Sequence, residues 1–173
     1  MENINKEIIE QAKGGDERSM TELFMTYKDY VMRSAFIMLR SRDEAEDVTE
    51  NVFYKVFTNL QSFDMERDFH PWLSRIIRNE CYTFLKKNRR QITNTDSWLD
   101  TITSEDTHPE TIHLVQSVLE QLSQKEREII QLRFYQELTF EEIAKVLSTS
   151  VGNVKVRIHR AIKKLKEMMP NDA

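Results

Sequence analysis

The chain has 173 residues, a net charge of −4, and 39% apolar beside 31% charged residues. That length holds one medium domain or two small ones, and that balance describes a soluble, foldable chain, which excludes wholesale disorder. A single cysteine, Cys81, excludes a disulfide framework, and three glycines with three prolines are too few for a many-turned β architecture.

The stretches between those breakers are rich in Glu, Lys, Leu, Ile and Arg, and so predict an all-α chain. The opening "MENINKEIIEQAKGGDE" has no apolar segment of the signal-peptide kind, and no apolar cluster is long enough to cross a bilayer. A reducing cytoplasm is the expected home, with no membrane insertion. A first helix ends near Lys13, where Gly14 and Gly15 break it, and Asp16 starts a second. In "SMTELFMTYKDYVMRSAFIML", Leu23, Phe24, Tyr27, Tyr30, Val31, Ala35 and Leu39 recur at steps of three and four, as in an amphipathic helix. Asp43 offers the next start, followed by one apolar stripe of Ala45, Val48, Val52, Phe53, Val56 and Phe57. After the turn-like "QSFDMERDFH", Pro71 suits the first position of a helix, because no helix would use its missing N–H there. Trp72, Ile76, Ile77, Tyr82 and Leu85 continue that helix.

Over residues 91–108 the periodicity fails in a polar, acidic, Thr- and Ser-rich segment that reads as a linker. The expected organisation is a helical domain over residues 1–92, a flexible acidic linker over 93–108, and a second helical domain over 109–173. Three capping boxes follow the linker's acidic core, pairing Thr107 with Glu110, Ser123 with Glu126, and Thr139 with Glu142, and Ser150 is a further cap. In "LTFEEIAKVLSTSVGNVKVRIHRAIKKL" the spacing is that of a helix-turn-helix. Ile143, Ala144 and Leu147 pack one helix inward, Ala144 lets the two cross closely, and Val151, Val154 and Ile158 seat the second. That second helix also carries Lys155, Arg157, Arg160, Lys163, Lys164 and Lys166. A Lys/Arg run alone is a solvated helix face, but one set on a helix-turn-helix, with almost no acid before Glu167, points to DNA.

These residues resemble the extracytoplasmic-function group of bacterial RNA polymerase sigma factors. The run "LSQKEREIIQLRFYQELTFEEIAKVLSTSVGNVKVRIHRAIKKL" is similar to the family's region 4, "EAEDVTENVF" to region 2.2, and "SFDMERDFHPWLSRIIRN" with "LKKNRR" to regions 2.3 and 2.4. The resemblance implies an initiation factor that binds core RNA polymerase, through its clamp coiled coil and flap, and directs it to promoter DNA. It places polymerase docking on Glu46, Asp47, Glu50 and Asn51, the last where the family usually has an acid. It places minus-ten reading and melting on Asn59, Phe63, Arg67, Arg75, Asn79, Lys86 and Lys87, beside Arg89 and Arg90. Phe69 and Trp72, in the same stretch, read as core aromatics, while Phe63 suits core and base pocket equally. It places minus-thirty-five reading on Asn153, Lys155, Val156, Arg157, His159, Arg160 and Lys163. An anti-sigma factor is an implied partner. The acidic linker disfavours free DNA binding, so promoter binding is expected to need the polymerase.

An enzyme reading finds no support: the four histidines lack ligand spacing, Gly14 and Gly15 make no phosphate loop, and Cys81 lies in an apolar helical pattern. No metal or cofactor is expected. The alternative of another class is a free-standing helix-turn-helix regulator that binds its operator unaided as a dimer. The N-terminal motifs count against it, since such a regulator has no use for them.

Overall fold

The computed structural model describes residues 6–87 and 121–168, which form seven α-helices and, among the described residues, no strand. The chain divides into two compact units, Met1–Thr93 and Asn94–Ala173. The expected linker, the Thr107–Glu110 capping box, Arg89 and Arg90 lie outside the described residues.

The first unit contains α1 (Lys6–Lys13), α2 (Glu17–Leu39), α3 (Arg42–Asn59), a 3₁₀ turn at Leu60–Ser62, and α4 (Phe69–Lys87). Gly15, with φ of 92°, makes the sharp turn out of α1. Asp16 then caps α2, its carboxylate accepting from the Ser19 backbone N–H at 2.8 Å and the Ser19 hydroxyl at 2.7 Å. Those bonds, the backbone one first, hold the Asp16 carboxyl below its usual range. The apolar stripes close on one another as the periodicity requires, burying Leu23, Tyr27, Tyr30 and Val31 of α2, Ala45, Val48, Val52 and Val56 of α3, and Leu73, Ile77 and Cys81 of α4. A buried bond between the Tyr30 hydroxyl and Ser74 Oγ, 3.2 Å long, joins α2 to α4.

Two helix starts differ from expectation. The cap of α3 is Ser41, whose hydroxyl accepts from the Glu44 N–H, so Asp43 lies inside the first turn, where its charge favours the N-terminal dipole. Helix α4 begins at Phe69, and Pro71 is its third residue. Nothing is lost there, because the N–H groups of a helix's first turn have no intrahelical partner.

The second unit contains α5 (Gln124–Ile130), one π turn at Gln131–Tyr135, α6 (Phe140–Leu147) and α7 (Val151–Met168). Both capping boxes within the described residues form: Ser123 N–H donates to Glu126 Oε2 at 2.7 Å, and Thr139 N–H to Glu142 Oε2 at 2.7 Å, each with the reciprocal bond. Ser150 caps α7 through the Asn153 N–H at 3.2 Å. Ile129, Leu132, Leu138, Ile143, Ala144, Val146, Val154, Ile158 and Ala161 form one core, with Leu147 and Val151 packed at its edge. Of these, Ile129, Leu132, Leu138, Val146 and Ala161 were not among the expected core positions.

Helix α6 ends at Ser148, which adopts a left-handed conformation (φ 52°) while the Thr149 N–H reaches back to the Ala144 carbonyl at 2.9 Å. A residue with a Cβ is strained there. Ser148→Gly is expected to stabilise this unit by about 0.5–1 kcal/mol, read as a raised melting temperature of the full chain's C-terminal transition. An unchanged or lowered value would show that the serine carries no strain.

Candidate functional site

Three exposed surfaces carry the sequence-predicted residues. The first is the outer side of α3. With Ala45, Val48, Thr49, Val52 and Val56 facing the core, helical geometry turns Glu46, Asp47, Glu50 and Asn51 to solvent, and all four are exposed. Glu46 accepts from Arg42 at 3.2 Å, and Asn51 donates to the Asp47 carbonyl at 2.8 Å. Glu44, half-buried beside them, has its carboxyl pushed up by desolvation and by the neighbouring Asp47. The result is a cluster of negative charge on a rigid helix. Tyr54, 70% exposed, extends the same helix with an uncovered aromatic ring.

The second surface surrounds the loop between the 3₁₀ turn and α4. Asp64 organises it: its carboxylate accepts from the Glu66 N–H at 3.1 Å and from Arg67 Nε at 3.1 Å, while its carbonyl accepts from the Arg67 N–H. Arg67, Arg75, Asn79, Lys86 and Lys87 are exposed, as is Asn59 at the end of α3. The Asn59 amide donates to the Lys55 carbonyl at 2.8 Å, and Lys55 Nζ pairs at 2.6 Å with Glu80, the neighbour of Asn79. That pair therefore sets the end of α3 against α4 near both amides. Phe63 takes a core position, one of the two that its sequence context suits equally. It is only 3% exposed, its ring packed 4.9 Å from Trp72 and 5.6 Å from Phe69, centroid to centroid. The apolar ring closes the foot of the loop.

The third surface is α7. Asn153, Lys155, Val156, His159, Arg160 and Lys163 are exposed, at the three- and four-residue steps that align side chains along one side of a helix. Asn153 Nδ2 donates to Thr149 Oγ1 at 2.8 Å, and Lys155 Nζ sits 5.7 Å from the Phe140 ring centre. Val156, 48% exposed, is an apolar side chain among cations. Arg157 does not join them. It turns toward α5, where its guanidinium bonds Glu128 Oε2 and the Lys125 carbonyl, each at 3.3 Å, because Glu128 is buried and draws a cation inward. Lys164 likewise pairs with Glu126 at 2.8 Å.

The Lys164 bond is the chief reason the Glu126 carboxyl lies below its usual range, with Ser123 adding to it. A depressed folded-state value contributes stability at neutral pH that is lost as pH falls below the ordinary glutamate value of 4.5. Lys164→Met is therefore expected to flatten the loss of C-terminal stability below that pH, followed through backbone amide signals of α5 to α7 during urea unfolding. An acid limb as steep as the wild type's would refute the assignment.

Sequence reasoning missed Lys55, Glu80, Glu128 and Lys13, whose ammonium donates to the Phe63 carbonyl at 2.7 Å. For Glu80 and Glu128 the signal was available: each carboxylate falls on the buried side of its helix. Nothing local marks Lys13, whose partner is fifty residues away.

The Sigma-70 region 2 family model matches residues 23–91, and the Sigma-70, region 4 model matches residues 118–167. The "ECF RNA polymerase sigma factor SigW" of Bacillus subtilis (strain 168) is 29% identical over 98% of both chains. The chain belongs to the extracytoplasmic-function sigma factors. As a sigma factor it directs RNA polymerase to promoters. Its fold is also that of solved relatives. CnrH, in complex with the cytosolic domain of CnrY, superposes with a TM-score of 0.73 at 25% identity, over 97% of this chain and 98% of CnrH. The sigma factor RpoE, in complex with the anti-sigma factor NepR from Bartonella quintana, superposes with a TM-score of 0.75 at 21% identity, over 88% of this sigma factor and 98% of RpoE.

Among the described residues, no group of three or more His, Cys, Asp or Glu side chains is placed to hold a metal ion, and no helix is long and apolar enough to cross a membrane.

Proposed function

We propose that the three surfaces divide the work of initiation. Residues 1–92 dock on the polymerase clamp and open the minus-ten element, residues 93–108 link, and residues 109–173 bind the flap and read the minus-thirty-five element. Docking uses Glu46, Asp47, Glu50 and Asn51. Strand capture uses Asn59 and Asn79 as amides for an unstacked base, and Arg67, Arg75, Lys86 and Lys87 for backbone phosphate. Duplex reading uses Lys155 and Arg160 on base edges or phosphate, Val156 against a thymine methyl, and Asn153, His159 and Lys163 along the flanks. Phe63 and Arg157 are assigned structural roles.

The observation that carries this reading is the pairing, in one chain, of an acidic docking face on a region 2 match with a cationic reading helix on a region 4 match. A free-standing regulator needs the second and has no use for the first. Catalysis stays with the polymerase, and the site of action is the cytoplasm. The two solved relatives are held by protein partners, one of them named an anti-sigma factor, which supports a protein antagonist for this chain as well.

The test is transcription in vitro with sigma-free bacterial core polymerase and a library of promoter fragments. Transcripts starting at a fixed distance below a shared two-part motif are expected, and they should vanish when Glu46 and Asp47 are both reversed to lysine. Tight operator binding without polymerase, and no transcripts with it, would favour the stand-alone regulator.

A further inference from the structure

We infer that Lys13, on the first helix, is a positioning residue for minus-ten recognition: through its bond to the Phe63 carbonyl, α1 sets the geometry of the loop that meets the melted strand. The inference rests on the proposed reading of that loop and adds a residue from an element to which that reading gives no task.

Each link is a short, specific contact. Ile9 and Ala12 bury one side of α1 against the domain. Its C-terminal end is then tied to the start of α2, where the Asp16 N–H bonds the Gln11 carbonyl at 3.1 Å and the Gln11 side-chain amide lies 2.9 Å from the Ser19 hydroxyl. Lys13 is the last residue of the helix, and its half-buried ammonium is delivered to the Phe63 carbonyl at 2.7 Å. A charged donor on a partly desolvated carbonyl is a strong bond of its class.

Phe63 is where the loop begins. Its own N–H is already engaged by the Leu60 carbonyl at 3.0 Å, and its ring is locked between Phe69 and Trp72. With the ring held and both backbone polar groups satisfied, the direction in which the chain leaves Phe63 is determined. Asp64 then folds residues 64–67 onto themselves, and Phe69 returns the chain into α4. Without the Lys13 bond, the Phe63–Asp64 peptide loses the contact that holds its carbonyl, and the turn built on Asp64 can swing as a unit. The charged loop residues beyond it would follow. A reading loop pre-formed in this way gains selectivity, because a base that does not fit cannot be met by rearrangement.

The experiment uses the full chain with sigma-free core polymerase on promoters randomised across the minus-ten element, with the minus-thirty-five element fixed. Wild type, Lys13→Met, Lys13→Arg and Asn79→Ala are compared by sequencing the transcripts. Methionine keeps the apolar stem and removes the donor; arginine keeps a cationic donor. Lys13→Met is expected to lose about fivefold in transcripts from the preferred sequence, the size of one hydrogen bond, and to broaden the minus-ten profile, while Lys13→Arg restores much of both. A merely structural lysine would lower the melting temperature and leave the base profile alone. If Lys13→Met keeps the wild-type profile while Asn79→Ala alters it, the positioning role is overturned and the reading of the pocket stands. If neither changes the profile, the pocket reading fails and takes this inference with it.

Discussion

Replacing Arg157 by methionine is expected to destabilise the C-terminal unit by about 3 kcal/mol, the cost of breaking a buried ion pair from one side. Glu128 keeps only 3% of its side chain exposed and Arg157 26%, so water cannot take the guanidinium's place at the carboxylate. The same guanidinium also loses the Lys125 carbonyl, and with it a second tie between α7 and α5. A unit this small has little stability to spare. At several degrees of melting temperature per kcal/mol for a small domain, the shift should be on the order of 12 °C or more. The double variant Glu128→Leu with Arg157→Met should recover most of the loss, because apolar side chains of similar size fill a buried ion-pair site without a desolvation penalty. Its minus-thirty-five preference should match the wild type. A melting temperature unmoved by Arg157→Met, together with weakened promoter recognition, would return Arg157 to the DNA-reading set.

That residue also marks where the sequence stopped being legible. The apolar periodicity of α2, α3, α4, α6 and α7 marks much of the core in the sequence itself, because burial of one helix face leaves a direct imprint at steps of three and four. The capping boxes at Ser123 and Thr139 were equally plain, since a hydroxyl and a carboxylate three residues apart have few other local uses. Charge was harder to assign. A cationic run shows that a helix side is basic but not which cations are claimed by carboxylates elsewhere in the chain, and Glu128 and Glu126 lie 29 and 38 residues from Arg157 and Lys164. Phe63 posed the same difficulty, because its neighbours Phe69 and Trp72 surround it only once α4 turns back on the loop. The turns were obscure for another reason. Arg40, Glu137 and Ser148 all adopt positive φ without being glycine, so the usual breaker signal was missing.

The cations that α7 leaves exposed make the second large effect specific. Reversing both Lys155 and Arg160 to glutamate is expected to lower transcription from the factor's own promoters by about a hundredfold or more. Each is worth roughly 1–3 kcal/mol if it donates to a base edge, and reversal adds repulsion from the phosphates. Both side chains are exposed, and neither is paired with Glu126 or Glu128, so the fold and the affinity for core polymerase should survive. The single alanine variants then separate two modes of contact. A residue on a base edge relaxes the preference at one promoter position when it is removed; a residue on phosphate weakens all sequences alike and reduces the salt dependence by about one ion per contact. Val156 supplies an internal check, because an apolar contact to a thymine methyl predicts that Val156→Ser changes the preferred base at one position without altering the salt dependence. Transcription that persists in the double reversal at wild-type levels would mean that α7 is not the reading helix, and that the second unit serves the polymerase alone.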